Sequence, residues 1–350
     1  MIIDRYIISE IAKPFMVATA ALVAIFVAFS SAVILNDVVA GEFGIEVVVV
    51  LILLRTLIIL EVLLPTALYL SVVISIGRLY RDSEMVAFWA LGVSEARMLR
   101  AVLLVGVVVA AVVACISVYG RPWAYQTSYQ IEADAAVAAD LQRLQSGSFS
   151  RLGDGRLVIN QQRLDVAAKL AYDVFVEIDI ESGRRVIYAN SAEMLSGKPE
   201  PRVRFNDGYA YEFRDNRSDD RVLKFRALTL QLYEEPPDRV RNRRKALPTA
   251  QLAGSSKPKE IAEYQWRLST PIATLLLGVL ALPLSRSAPR QGRHRTLFLA
   301  ILVYAVFFNL AGMARTWVEN AEIGPYPGIW WVHALLTGFL LMRLFWKPRH

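Results

Sequence analysis

The chain of 350 residues has a single cysteine, Cys115. No disulfide can form within it, so every part must be held by packing. Histidine is nearly absent too: His294, His333 and His350 are too scattered to propose a metal site, and no His-Glu-x-x-His pair occurs. There is no Gly-x-x-x-x-Gly-Lys-Ser/Thr loop. Without one the chain cannot cradle nucleotide phosphates in the P-loop manner, and it has no ATPase engine of its own. Acidic residues inside the long apolar runs are scarce, with Glu61 the one clear case, which argues against a proton-coupled carrier. No cofactor and no nucleic-acid partner are expected.

What is abundant is apolar surface, at 55% of the residues and a mean hydropathy of +0.38, beyond the needs of a soluble core. Six runs are long enough to cross a hydrocarbon layer of roughly 30 Å as helices. They cover 15–35, 47–76, 101–119, 266–284, 297–313 and 329–345. The first is not a cleaved leader, because it has full span length and is followed by Asp37 and Glu42. In the second, Arg55 reaches the interface by snorkelling, and Glu61 lies about two turns deeper.

Basic residues orient the spans. Arg78, Arg81, Arg97 and Arg100 lie between spans two and three, and Arg286, Arg290, Arg293 and Arg295 between four and five, so these loops face the cytoplasm. The loop 36–46 has no Lys or Arg, as expected of the opposite side. An even number of spans puts both termini in the cytoplasm. The fold class that follows is a membrane α-helical protein, six transmembrane helices arranged three plus three, with an inserted extracytoplasmic β domain. Its parts are an N-terminal bundle over 1–119, a middle domain over 120–262 and a C-terminal bundle over 263–350.

The middle domain opens with a helical stretch, 130–145, that continues span three, and short strands follow. Tyr172, Val174, Val176, Ile178 and Ile180 alternate with polar residues and define one apolar face. Asn206-Asp207-Gly208 reads as a hairpin turn between Val203-Phe205 and Tyr209-Phe213. Residues 157–160, 185–188 and 222–232 are further strands, and in the last the apolar face changes near Ala227, the mark of a bulge or strong twist. These features predict an antiparallel sandwich or jelly roll, whose apolar face serves either as an ordinary core or as a lipid-binding groove. A polar segment, 236–259, reads as a solvated return linker.

Between spans two and three, residues 82–92 form a short amphipathic helix. Asp82 or Ser83 caps it, Glu84 favours its positive end, Gly92 ends it, and Met85, Phe88 and Trp89 share a stripe. Such a helix either lies on the membrane or docks a cytoplasmic partner.

Four segments in order carry a resemblance: the start Met1-Ile2-Ile3-Asp4-Arg5-Tyr6, the loop from Gly77 to Met85, the junction Ile261-Ala262-Glu263-Tyr264-Gln265-Trp266-Arg267-Leu268-Ser269, and Pro289-Arg290-Gln291-Gly292-Arg293. Together they resemble the lipopolysaccharide-export permease family, LptF/LptG, and are more similar to its LptF branch. The resemblance implies a bacterial inner-membrane permease subunit, itself no enzyme, that pairs with an LptG-like permease. An LptB-like ATPase dimer lies beneath the pair, and an LptC-like protein joins on the periplasmic side. Lipopolysaccharide would pass from the membrane into stacked periplasmic β-jellyroll domains.

The same resemblance implies residue roles. Asp82, Glu84, Met85, Phe88, Trp89 and Gly92 fall on the ATPase-coupling motif, and Arg290 and Arg293 on the second cytoplasmic loop. Phe149, Tyr172, Val174, Val176 and Ile178 become liners of an acyl-chain track. Relatives carry basic residues late in span one, where this chain has Ser30, Ser31 and Val33. Arg55 is therefore the candidate for lipid phosphate. The competing expectations are a membrane-anchored periplasmic scaffold and a lipid carrier independent of any ATPase.

Overall fold

A computed structural model describes residues 2–39, 45–143, 149–152, 157–165, 170–180, 183–195, 202–214, 220–230, 243–286 and 293–345. The chain divides into two compact units. One comprises Met1–Val33, Val50–Thr127 and Asn242–His350, and the other Ile34–Val49 and Ser128–Arg241. The expected boundaries at 120 and 262 differ from this division, because the segment returning from the sheet folds with the helices.

The helical unit is built from α1 (Ile2–Val39), α2 (Ile45–Arg81), α3 (Glu84–Ala90), α4 (Glu95–Cys115), α5 (Arg121–Arg143), α6 (Thr249–Ala253), α7 (Pro258–Leu284), α8 (Arg293–Glu319) and α9 (Trp330–Phe345), with α1, α2 and α5 running on beyond it. Runs such as Val47–Val50 and Val107–Val109 have strand-forming residue types. They are helical here, as expected of a lipid-embedded segment, where each backbone amide must be satisfied within its own helix. Among the described residues, five helices are long and apolar enough to cross a membrane, from Ile3–Asn36 to Thr296–Glu319. The sixth expected span is α9, which has 16 residues and so extends about 24 Å at 1.5 Å per residue.

The most extensive helix pairing joins α4 to α7. Glycines permit the close approach: a Cβ on Gly106 would sit 3.5 Å from Leu275, and one on Gly278 would sit 3.3 Å from Leu68 of α2. Leu68, Tyr69, Val72, Ile76, Met98, Val102, Leu277 and Leu280 form the buried centre. A π-helical turn, Ile116–Gly120, joins α4 to α5 without a break. The helix expected around 130–145 is thus the continuation of span three.

The second unit holds one six-stranded antiparallel sheet in the order β1-β2-β3-β4-β5-β6. Its strands are β1 (Phe149–Leu152), β2 (Leu157–Asp165), β3 (Leu170–Ile180), β4 (Gly183–Leu195), β5 (Arg202–Arg214) and β6 (Arg221–Leu230). Each strand pairs with its sequence neighbour, so the described strands form a meander without the crossovers of a jelly roll. Val174, Val176, Ile187, Ala189, Ala192, Val203, Phe205, Ala210 and Phe225 make one apolar cluster.

A crease crosses this sheet and changes which side chains face the cluster. Asp173 and Asp207 both have φ of 50°, and the register places them on one transverse row with Asn190 and Arg226. A positive φ interrupts the two-residue alternation of a strand. Val203 and Phe205 therefore face the cluster before Asp207, and Gly208 and Ala210 after it. On β6 the same change falls between Phe225 and Leu228, which fits the twist read near Ala227.

The crease overturns two sequence expectations. Asn206-Asp207-Gly208 is no hairpin turn, for β5 runs straight through it and pairs on both sides. Gly208 is required there by proximity, since a Cβ would meet the Tyr188 carbonyl oxygen at 2.1 Å and the Phe225 ring at 2.8 Å. Tyr172 is not on the face of Val174: it is 40% exposed, and Ala171 takes the place against the cluster.

Candidate functional site

Helix α3 begins directly beyond α2, at Ser83, whose φ of 61° turns the chain. The expected side-chain cap is not formed, because neither Ser83 nor Asp82 bonds the helix start. Asp82 is engaged instead by Arg81 and Arg78. The helix ends as the sequence indicates. Gly92 has φ of 76°, its N–H donates to the Trp89 carbonyl, and the Val93 N–H donates to the Phe88 carbonyl, each at 2.9 Å.

The stripe on α3 is split by the packing. Met85 is 1% exposed and belongs to the bundle core, so it anchors α3 and presents no surface to a partner. Phe88 packs edge-on to Tyr6, and Trp89 edge-on to Tyr80. Val86, Trp89 and Leu91 form the exposed apolar ridge. Glu84 accepts a hydrogen bond of 2.7 Å from the Tyr6 hydroxyl on Oε2. Nearby, Arg78 pairs with Glu10 at 2.6 Å, and Ser75 donates to the Glu10 carbonyl.

The second basic loop is tied to this same end. Arg286, just past α7, donates to Glu95 at the start of α4 over 3.0 Å. Arg290 lies outside the described residues, and Arg293 is the first residue of α8.

Where α2, α5, α7 and α8 meet lies a charge cluster that the sequence reading missed. Glu61, Arg121, Glu263 and Arg267 are each no more than 4% exposed. Arg121 donates to Glu61 Oε2 over 2.8 Å and pairs with Glu263 at 3.4 Å. Arg267 donates from Nε to Glu263 Oε1 over 3.1 Å, and Arg315 from Nη2 to Glu263 Oε2 over 2.9 Å. Glu319 then joins Arg315 at 2.9 Å to Arg244 at 2.7 Å. Four guanidinium groups thus share three carboxylates.

Neutral groups complete the cluster. The Ser117 hydroxyl, presented by the π turn, lies 2.9 Å from Glu61 Oε1, and the Thr270 hydroxyl lies 3.1 Å from the same oxygen. Arg267 also donates to the Leu247 and Lys245 carbonyls and to Thr249 Oγ1, each over 2.9 Å. Thr249 itself donates to the Val118 carbonyl over 2.8 Å. Residues 244–249 are therefore docked on buried charge, which corrects the reading of 236–259 as a solvated linker. Burial, with the charges of Arg121 and Arg315 beside it, pushes the Lys245 ammonium below its ordinary value. Glu263 and Arg267 are spaced i,i+4, a signal available in the sequence across the start of the expected span four.

A shallow cleft opens beside Glu61, lined among others by Pro65, Thr270, Tyr304, Phe308 and His333. Arg55 is partly buried and has an interaction of its own. Among the expected lipid liners, Val174 and Val176 are closed into the sheet cluster at 3% and 0% exposure, and Ile178 packs at its margin. Phe149 starts β1 opposite Asn160.

Long apolar helices, a docked amphipathic helix at one end and an inserted creased sheet define a polytopic membrane protein of the permease class. The chain belongs to the family described as lipopolysaccharide export system permease LptF/LptG, which it matches over residues 5–347. It is 24% identical to the lipopolysaccharide export system permease protein LptF of Escherichia coli strain K12, over 99% of this chain and 95% of that protein. The protein of the same name from Shigella flexneri is similar to the same degree over the same shares.

Proposed function

We propose that this chain is the LptF-type subunit of an ABC exporter that draws lipopolysaccharide from the inner membrane, driven by a separate ATPase docked on α3. The observation that carries this reading is α3 itself. A seven-residue helix is too short to be stable alone, yet Met85 pins it to the bundle while Val86, Trp89 and Leu91 are exposed and Glu84 stays partly exposed. A permease without a nucleotide-binding motif needs such a contact to receive work from ATP hydrolysis. In this arrangement α3 and both termini are cytoplasmic, the sheet is periplasmic, and α9 completes the three-plus-three layout. The Arg286–Glu95 pair supports that orientation by holding the two Arg-rich loops at one end. An LptG-like permease would be the membrane partner and an LptC-like protein the periplasmic one, with Arg290 and Arg293 meeting the ATPase or inner-leaflet phosphates.

Purification of the tagged chain from its native membrane, with bound proteins identified by mass spectrometry, tests this directly. A second six-span permease and an ABC ATPase are expected, and Glu84→Ala should lower ATPase recovery by about tenfold, as for a lost charged contact. Recovery of the folded chain alone would favour the scaffold or the self-sufficient carrier.

The sheet is proposed as a track for acyl chains, entered where its apolar cluster is incompletely covered. Ile178 lies at that margin, whereas Tyr172 projects from the other face. A photo-cross-linking residue at Ile178 is expected to capture lipopolysaccharide during ATP-driven transport, and the same residue at Tyr172 is not. Equal capture at both positions would remove the track.

A further inference from the structure

Helix α1 is attached to the bundle unevenly. Its window of highest hydropathy is only 11% buried, and Met16, Val17, Ile25 and Phe29 are each 67–70% exposed. Ile7 and Ile11, by contrast, are fully buried, and the contacts around them converge on the end of α2 and on α3. Glu10 pairs with Arg78 and accepts from Ser75, while Tyr6 reaches Glu84 and Phe88.

We propose that Tyr6 is a positioning residue that fixes the Glu84 carboxylate and thereby ties helix α1 to the movement of α3 when the ATPase docks. The inference rests on the reading of α3 as the docking element and deepens it. Its physical basis is the division of labour on one carboxylate. Tyr6 holds Oε2, while Oε1 has no partner among the described residues and stays available to a donor on the docked protein. A carboxylate on a flexible side chain loses rotamer freedom on docking; one already bonded to a tyrosine on another helix has lost much of it beforehand. The Phe88 ring, edge-on to Tyr6 with centroids 6.2 Å apart, makes the same tie apolar as well as polar. A pull on α3 is therefore delivered to α1, whose exposed middle is free to shift against lipid or a partner subunit. The Glu10–Arg78 and Ser75 contacts hold α1 to the end of α2, and the Tyr6 bond adds the direct link to α3.

The test uses the full permease complex with its ATPase, in vesicles loaded with lipopolysaccharide, comparing Tyr6→Phe with Glu84→Gln. Tyr6→Phe deletes one hydroxyl and retains the ring. It is expected to keep the ATPase bound but lower lipid release per ATP hydrolysed by about fivefold or more, the low end of ordinary coupling free energies. Hydrogen exchange at amides 85–91, measured on the permeases before the ATPase is added, should accelerate in both variants. This second reading stands even if Tyr6→Phe fails to assemble, because Glu84→Gln weakens the same bond from its other side. Wild-type release and exchange in Tyr6→Phe, with Glu84→Gln impaired, would overturn the role of Tyr6 alone. Wild-type behaviour in both variants would overturn the docking role of α3 and the Tyr6 inference with it.

Discussion

Glu263→Ala is expected to cost about 3–5 kcal/mol of stability, the usual loss when one partner of a buried ion pair is removed and its counter-charges stay behind. The expectation is at the upper end because Arg121, Arg267 and Arg315 all converge on this one carboxylate. Arg267 also holds residues 244–249 through three carbonyls and the Thr249 hydroxyl. Losing its orientation releases the returning segment as well as the helix contact. Glu61→Gln should cost less, because Arg121 keeps Glu263 and the amide still meets Ser117 and Thr270. Thermal unfolding of the purified chain in detergent, followed by tryptophan fluorescence, measures both. A Glu263→Ala midpoint equal to that of Glu61→Gln would show that the cluster does not hold the bundle together.

Gly208→Ala is the second large effect, and it should be confined to the sheet. The added methyl would sit 2.1 Å from a backbone oxygen of β4 and 2.9 Å from a backbone carbon of the same strand, so relief requires moving a strand rather than turning a side chain. A cost of about 3 kcal/mol follows from overpacking of this kind, equivalent to roughly a 100-fold rise in the locally open population. Limited proteolysis of the full-length chain reads that population when closing outpaces cleavage. Cleavage within 157–230 should rise by that factor, while cleavage in the helical unit stays at the wild-type rate. Unchanged cleavage would mean that β4 and β5 part locally without loss of the sheet.

The sequence was a good guide where one local rule decides the outcome. Long apolar runs set the spans, and Gly92 sets the end of α3, because hydrophobic length and a positive φ need no distant partner. The change of face near Ala227 was equally readable, since alternation is a property of one strand. Asn206-Asp207-Gly208 was misread because a turn signal and a crease use the same residues. The choice between them lies with β4 and β6, which pair with β5 on both sides of Asp207. Tyr172 was misassigned for the same reason, with Asp173 shifting the alternation by one residue.

By itself, the sequence determined that this protein crosses the membrane, that a strand-rich domain is inserted among its apolar helices, that it carries no P-loop, and where the short amphipathic helix α3 ends. Only the tertiary structure decided which charges are buried together and which face of the sheet each side chain takes. Arg121 and Glu263 are 142 positions apart, and Tyr6 and Glu84 are 78 apart. Each residue alone reads as an ordinary polar flank of a span. A buried charge is tolerable only when it is paired, and the partner that Arg121 finds in Glu61 arrives from another helix by packing, which no local pattern records.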